Sequence, residues 1–367
     1  MHPAVRRVTR HLTRHIDGLL LGLVLALMVA GLLILFSASN GNVARVSAQL
    51  ANMVIALGVL WVFANIPPHF LLRLAFPVYL VGVLLLVAVA LAGEVSHGAR
   101  RWLDVGITRI QPSELMKIAV PLAMAWYFNR HEAGLRLWNY AVAVVMLLLP
   151  VALIARQPDL GTALLITASG FFVMFLAGLP WRIIGGSAVA GLVAAPFAWS
   201  LLHDYQRQRI LTLIDPTQDP LGAGYHTIQS TIAVGSGGLL GKGWMSGTQT
   251  HLDFIPERTT DFVFAVFAEE FGLIGNIVLL LLLLLVVSRG LLIAAAAPSL
   301  FARLLAGAIT LTFFTYVFVN MGMVSGILPV VGVPLPLISY GGTALVSICL
   351  GFGILMSIAT HKKLIPT

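Results

Sequence analysis

Asp261, in the run ERTTDFVFAVFAEEFGL, stands where a polar stretch turns into an apolar helix, and it is the ionisable group this sequence singles out for chemistry. An uncompensated carboxylate beside lipid costs several kcal/mol, so one that persists there marks a functional site. The segment GARRWLDVGITRI adds a second set of groups, Arg100, Arg101 and Arg109 around Trp102. A planar guanidinium fork suits a phosphate or diphosphate, and an indole suits the membrane interface beside a lipid chain. Carboxylates and arginines at one membrane face describe two classes of protein: an enzyme acting on an anionic, lipid-linked substrate, or a transporter or flippase for one. Charges gathered at one face rather than at the midplane, without an evident inverted repeat, favour chemistry.

Polar or proline-rich motifs open four of the apolar segments: QPSELMK at 111–117, QPDLG at 157–161, ERTTDF at 257–262 and PLPLISYGG at 334–342. Proline just ahead of Ser113 and Glu114, or of Asp159, fits a helix start, where an acid complements the positive end of the helix dipole. Glu114 and Asp159 therefore read as caps or as supporting residues of the site. Lys117 follows Glu114 at the i,i+3 spacing of a helical ion pair. Paired, it fixes the register of its helix; open, it reaches an anionic substrate. Glu257 and Arg258 share the motif of Asp261 and are taken as supporting residues. Glu269 and Glu270 lie about 12 Å further along the same helix, turned away from Asp261, and read as structural. Asn320, inside an apolar run, reads as glue between helices.

The run GSGGLLGKG invites comparison with a phosphate-binding P-loop, but Ser236 replaces its first glycine and Gly243 replaces the Ser or Thr after Lys242. Its glycines instead allow a close approach of backbone or a hinge, and YHTIQSTIAV just before it reads as a short interfacial helix. No metal-ligand set stands out.

Positioning these groups falls to a chain built for lipid. Of 367 residues 59% are hydrophobic and 10% charged, and the mean hydropathy is +0.97. An ordinary soluble domain carries about 25% charged residues, so this is an integral membrane protein. Ten apolar segments are predicted as transmembrane helices, near 16–37, 47–66, 70–92, 114–128, 139–155, 160–179, 182–202, 262–288, 302–324 and 337–360. The fold class is all-α and polytopic, a single membrane domain over 1–367 with a large outer loop, 203–261, between the seventh and eighth helices. The first segment is too long for a signal peptide and reads as an uncleaved helix.

An even number of spans puts both termini on one side. Arg6, Arg7, Arg10, Arg14, Lys362 and Lys363 make that side cytoplasmic, joined by Arg73, Arg130, Arg136, Arg182, Arg289 and Arg303 in the even connections. This distribution accounts for the net charge of +8, so nucleic-acid binding is excluded as its cause. Arg100, Arg101, Arg109 and Arg156 then fall in outer connections, where topology disfavours them. The single cysteine, Cys349, forms no intrachain disulfide and reads as a packing residue.

At GARRWL, QPSELMK, QPDLGTALL, GYHTIQSTIAVGSGGLLGKG, FIPERTTDFVFAVFAEEFGLIGN and GILPVVGVPLPLISYGGTA, taken in order, the chain resembles the SEDS family of shape, elongation, division and sporulation proteins. The resemblance covers nearly the whole chain; Val331 stands where a threonine or other polar residue is frequent in relatives. It implies a peptidoglycan glycosyltransferase of the bacterial inner membrane that polymerises lipid II on the extracytoplasmic face. Its implied partners are a class B penicillin-binding protein that crosslinks the product, other membrane proteins of the elongation complex, and membrane lipids. Asp261 matches the family's essential aspartate, which implies a general base. Arg100, Arg101, Arg109 and, more weakly, Lys117 are assigned to the diphosphate. A divalent cation, Mg or Mn, is compatible with the family, and no organic cofactor is implied.

Overall fold

The computed structural model describes residues 14–96, 99–104, 109–157, 159–201, 204–218, 223–252, 254–255 and 257–361. A helix lies on each predicted apolar range: α1 (Gly18–Ala38), α2 (Val43–Ala64), α3 (Pro68–Ala92), α4 (Pro112–Arg130), α5 (Leu137–Ala155), α6 (Leu160–Leu176) and α7 (Trp181–Leu201). Three short helices follow, α8 (Asp204–Ile214), α9 (Ala223–Ser236) and α10 (Thr248–His251), and then α11 (Val263–Ala295), α12 (Leu300–Val324) and α13 (Gly342–Thr360). Among the described residues seven helices are long and apolar enough to cross a membrane: α1, α2, α3, α5, α11, α12 and α13. Helices α6 and α7 are apolar but shorter by that measure. Helix α4 carries Glu114, Lys117 and Arg130 and is buried on most of its surface.

The most enclosed helix is α12, packed against α4, α6, α11 and α13, while α2 packs on α13, α3 on α4, and α1 on α11. In lipid the hydrophobic effect gives little reason for helices to associate, so close packing and internal satisfaction of polar groups take its place. Helix α12 illustrates the second device: Thr310, Thr312 and Thr315 each donate to the carbonyl four residues back, at 2.7–2.9 Å. Leucines and valines on the outer faces of α1, α3 and α11 are left exposed, the surface a lipid solvent requires. Helix α7 is exposed along nearly its whole described length.

The all-α expectation needs a correction. The connection from α3 to α4 contains three antiparallel strands, β1 (Glu94–Ser96), β2 (Ala99–Asp104) and β3 (Arg109–Ile110), in the order β1-β2-β3. Their registers pair Glu94 with Trp102 and Leu103 with Ile110. A connection held against the bundle must satisfy its own backbone groups, and short strand pairing does so. Sequence periodicity missed it because the strands span only 3, 6 and 2 residues. The predicted 203–261 loop likewise contains α8, α9 and α10, of which α9 covers the predicted interfacial helix. Helix α11 runs past the predicted limit of 288 to Ala295, and α13 starts at Gly342 rather than 337, because the proline-rich stretch before it is an ordered loop.

Candidate active site

Asp261 lies two residues ahead of α11, and its main chain is clamped from two sides. Asn320, on α12, donates from Nδ2 to the carbonyl of Asp261 at 2.8 Å and to that of Val333 at 2.7 Å. The loop between α12 and α13 adds two bonds: Ser339 Oγ donates to the Thr260 carbonyl at 2.6 Å, and the Tyr340 amide to the Thr259 carbonyl at 2.8 Å. Asn320 therefore ties α12 to the entrance of α11 and to the 325–341 loop, a link between elements rather than a direct bond from helix to helix. Gly332 of that loop has φ +74°, and a Cβ there would stand 3.4 Å from Asp261 Oδ2, so the carboxylate faces a glycine. No described residue hydrogen-bonds to that carboxylate.

This environment sets its proton affinity. Burial, and then the negative charge of Glu257, push Asp261 up to about 6. Glu257 adopts φ +48°, with its carboxylate accepting from Thr260 Oγ1 at 2.9 Å. His226, on α9, stacks on Phe262 with ring centroids 5.6 Å apart, and burial lowers its pKa against the opposing pull of Glu257. A poorly solvated carboxylate titrating near 6 can accept a proton at neutral pH from a weakly acidic hydroxyl brought beside it.

One turn below Asn320 on α12, Tyr316 belongs to a second polar cluster. Glu114 pairs through Oε1 with Lys117 Nζ at 2.6 Å and accepts from Ser347 Oγ of α13 at 2.7 Å. Lys117 keeps 7% exposure, and its ammonium stands 5.1 Å from the centre of the Tyr316 ring. The closed ion pair is thus the arrangement present, and it joins α4, α12 and α13. Glu114 makes no side-chain cap bond, although it lies in the first turn of α4, where an acid complements the helix dipole. Asp159 does cap α6, accepting from the Thr162 amide at 3.2 Å, and takes a further bond from Gln111 Nε2 at 3.4 Å.

Of the remaining predicted residues, Arg258 donates to the Thr250 carbonyl, linking the ERTTDF segment to α10. Arg100 and Arg101 sit on β2 and Arg109 on β3, which packs the three into one small sheet beside α3 and α4. Their side chains lie outside the described atoms, as do Arg6, Arg7, Arg10, Lys362 and Lys363. Arg156 is the exposed C-cap of α5.

The glycine-rich run approaches protein backbone rather than a ligand. Gly241, at φ +80°, lies where a Cβ would come 2.1 Å from the Glu270 carbonyl, and Gly272 opposes it at a kink in α11 with φ 63° and ψ −161°. Glu269, fully buried there, accepts from Lys242 Nζ at 2.7 Å, the Gln249 amide at 2.9 Å, and both the amide and hydroxyl of Thr250 at 3.2 and 3.0 Å. Its structural role is as read. Arg45, which the sequence reading passed over, stands with its guanidinium 5.7 Å from the centre of the Tyr340 ring. The rule that flagged Arg100 flags it too, because Arg45 precedes the second predicted span, 47–66, in a connection expected to face outward, although the structure places it on the first turn of α2.

No group of three or more His, Cys, Asp or Glu among the described residues could hold a metal ion. Asp261 and Glu257 alone do not make a protein-built metal centre.

Comparison with known proteins agrees across the chain. Residues 17–364 match the family model FTSW_RODA_SPOVE, described as cell cycle protein. Peptidoglycan glycosyltransferase MrdB of Escherichia coli (strain K12) is 52% identical over 338 residues, 92% of this chain and 91% of that protein. Peptidoglycan glycosyltransferase RodA of Treponema pallidum is 32% identical over 352 residues, with 76% and 81% covered. Among solved structures, a chain from work on the structural coordination of polymerization and crosslinking by a peptidoglycan synthase complex superposes with a TM-score of 0.80. It is 37% identical, with 94% of this chain and 97% of that one covered. The rod shape determining protein RodA of Thermus thermophilus gives 0.70 at 31% identity, covering 94% and 96%.

Proposed function

Since this chain belongs to the FtsW, RodA and SpoVE family of cell cycle proteins, we propose that it is the lipid II polymerase of cell elongation, with Asp261 as its general base. The activity is peptidoglycan glycosyl transfer, as in its relatives, carried out by a multi-pass membrane protein. In this reading ten helices span the inner membrane, both termini are cytoplasmic, and the Asp261 end faces outward. A class B penicillin-binding protein crosslinks the product beside it, with other elongation-complex membrane proteins in attendance.

The 4-hydroxyl of the acceptor GlcNAc attacks C1 of the donor MurNAc while its proton passes to an Asp261 carboxylate oxygen. The C1–O bond to the diphosphate breaks, and undecaprenyl diphosphate leaves with the bonding pair. One displacement on an α-linked donor inverts C1 and gives the β-1,4 link, with no second carboxylate needed as a nucleophile. Arg100, Arg101 and Arg109 are assigned to neutralising the charge that develops on the diphosphate. Lys117 acts in positioning rather than on the diphosphate, because its ammonium is already engaged by Glu114.

The observation that carries this reading is the Asp261 carboxylate itself: main chain clamped, side chain without a partner among the described residues, and pKa raised to about 6. Asp261→Asn keeps shape and removes the base, so polymerisation of purified lipid II falls by about 10²–10⁴-fold, the usual contribution of such a group. Retained polymerisation in a folded variant would overturn the assignment. Vesicles holding the wild-type chain with its partner that flip lipid II but make no glycan would favour the transporter reading instead.

A further inference from the structure

At the end of the bundle opposite Asp261 lies a cavity of about 680 Å³ that the glycosyl-transfer chemistry does not use. It opens where α1 begins and α13 ends, between the α2–α3 turn and the start of α12. Arg14, His15, His69 and His361 all line it, and no described lining residue is acidic. Asp17, the acid nearest in sequence, is engaged by Arg289 at 3.2 Å. Leu72 and Phe301 supply an apolar part of its lining.

Two of the histidines form a built pair. The rings of His15 and His361 stack 3.9 Å apart and 4° from parallel. His361 Nδ1 donates to the Ser357 carbonyl at 3.0 Å, since a carbonyl only accepts. Thr360 Oγ1 donates to the Met356 carbonyl at 2.8 Å, so His15 Nδ1 is the donor in its 3.4 Å contact with Thr360. His361 thus has Nδ1 committed to the protein, and its Nε2 is the atom that becomes a second donor on protonation. Two stacked imidazoles beside an arginine repel one another once charged, and an anion between them and Arg14 removes that repulsion.

We infer that this cavity binds the phosphodiester headgroup of an anionic phospholipid from the leaflet on that face, with an acyl chain along the Leu72 and Phe301 wall. A spread of basic residues obeying the positive-inside rule would lie on the rim; here they converge on a recess with an apolar side, the form a lipid headgroup and chain require. The placement of this face on the cytoplasmic side rests on the topology proposed above, but the chemistry of the cavity does not.

The test uses the full chain purified in detergent, with bound lipid counted by native mass spectrometry. Wild type is expected to retain dioleoylphosphatidylglycerol about tenfold more tightly than dioleoylphosphatidylcholine. The triple variant Arg14→Gln, His69→Gln, His361→Gln loses that preference, as the removal of charge-assisted hydrogen bonds predicts. His361→Phe keeps the ring stack and removes only its nitrogens, so it guards against misfolding and is expected to weaken the same lipid alone. Equal retention of the two lipids, unchanged retention in both variants, or displacement of the lipid by stoichiometric inorganic phosphate would each overturn the inference. Lipid II polymerisation reads the opposite end and stays within about twofold in His361→Phe. Its absence already in wild type would count against the proposed function and leave the lipid measurement standing.

Discussion

The role proposed for Asp261 rests on what its neighbours withhold. Bonds donated to main-chain carbonyls, by Asn320 to that of Asp261 and by Ser339 and Tyr340 to those of the two residues before it, fix its place, while its carboxylate is left without a described partner in a poorly solvated niche. A carboxyl raised to about 6 is neutral, and useless as a base, below that pH. Polymerisation by the wild-type chain is therefore expected to rise as pH increases through about 6 and then level off. The Glu257→Gln substitution removes a negative charge that disfavours ionisation, so the rise moves to lower pH; a pH–rate profile on purified lipid II reads both. For stability the sign is opposite, because the folded state holds this proton more firmly than the unfolded one. That contribution is present at low pH and is lost as pH rises through about 6.

At the scale of elements, the carboxylate depends on how α11 enters the bundle. The glycine-rich run closes against the α11 kink, and Lys242, Thr248, Gln249 and Thr250 surround Glu269 there. Lys242→Met leaves a fully buried carboxylate without its counter-ion; a loss of about 1–3 kcal/mol is expected, below the usual figure for a buried pair because Lys242 keeps 27% exposure. A lowered thermal midpoint in detergent would show it. Gly272→Ala is expected to lower that midpoint further, since its φ of 63° with ψ of −161° belongs to glycine and a Cβ would come 2.3 Å from the Gly241 amide. Gly185→Ala, on exposed α7 with nothing within 4 Å of its Cβ, is the matched control. In the proposed function the β1–β3 sheet is the other element the site depends on. Loss of Arg101 or Arg109 is expected to weaken lipid II use, read as a higher KM, while membrane insertion is unchanged.

For the whole molecule, the proposed topology places two faces of different character at opposite ends of α11: a carboxylate and arginine face at its start and a histidine and arginine face at its end. Cysteine labelling tests the assignment of sides without removing the native thiol, because Cys349 is fully buried. Ser246 and Ala133 are exposed at the two ends. With a membrane-impermeant maleimide on intact cells, Ser246→Cys is expected to label directly and Ala133→Cys only after permeabilisation. The reverse pattern would invert the topology and remove Asp261 from the face where lipid II is polymerised.

The sequence by itself determined the solvent, the helices and the residue of interest. Apolar runs long enough for lipid leave few alternatives to helix, and a carboxylate at the mouth of one is too costly to be incidental. Local signals also reached Asp159 as a cap, Asn320 as a link between elements, and α9 inside the long connection. Only the tertiary structure decided which partners the charges take. Glu114 looks like a cap because the first turn of a helix favours acids, yet Ser347, 233 residues away, and Lys117 draw it into a bridge between helices. The glycines of GSGGLLGKG look ligand-facing because glycine permits close approach, yet the partner is the kinked backbone of α11. The meeting of Asp261 with Gly332 rests on a loop some seventy residues further along, and the contacts of a buried charge are set by such distant chain, which local spacing does not encode.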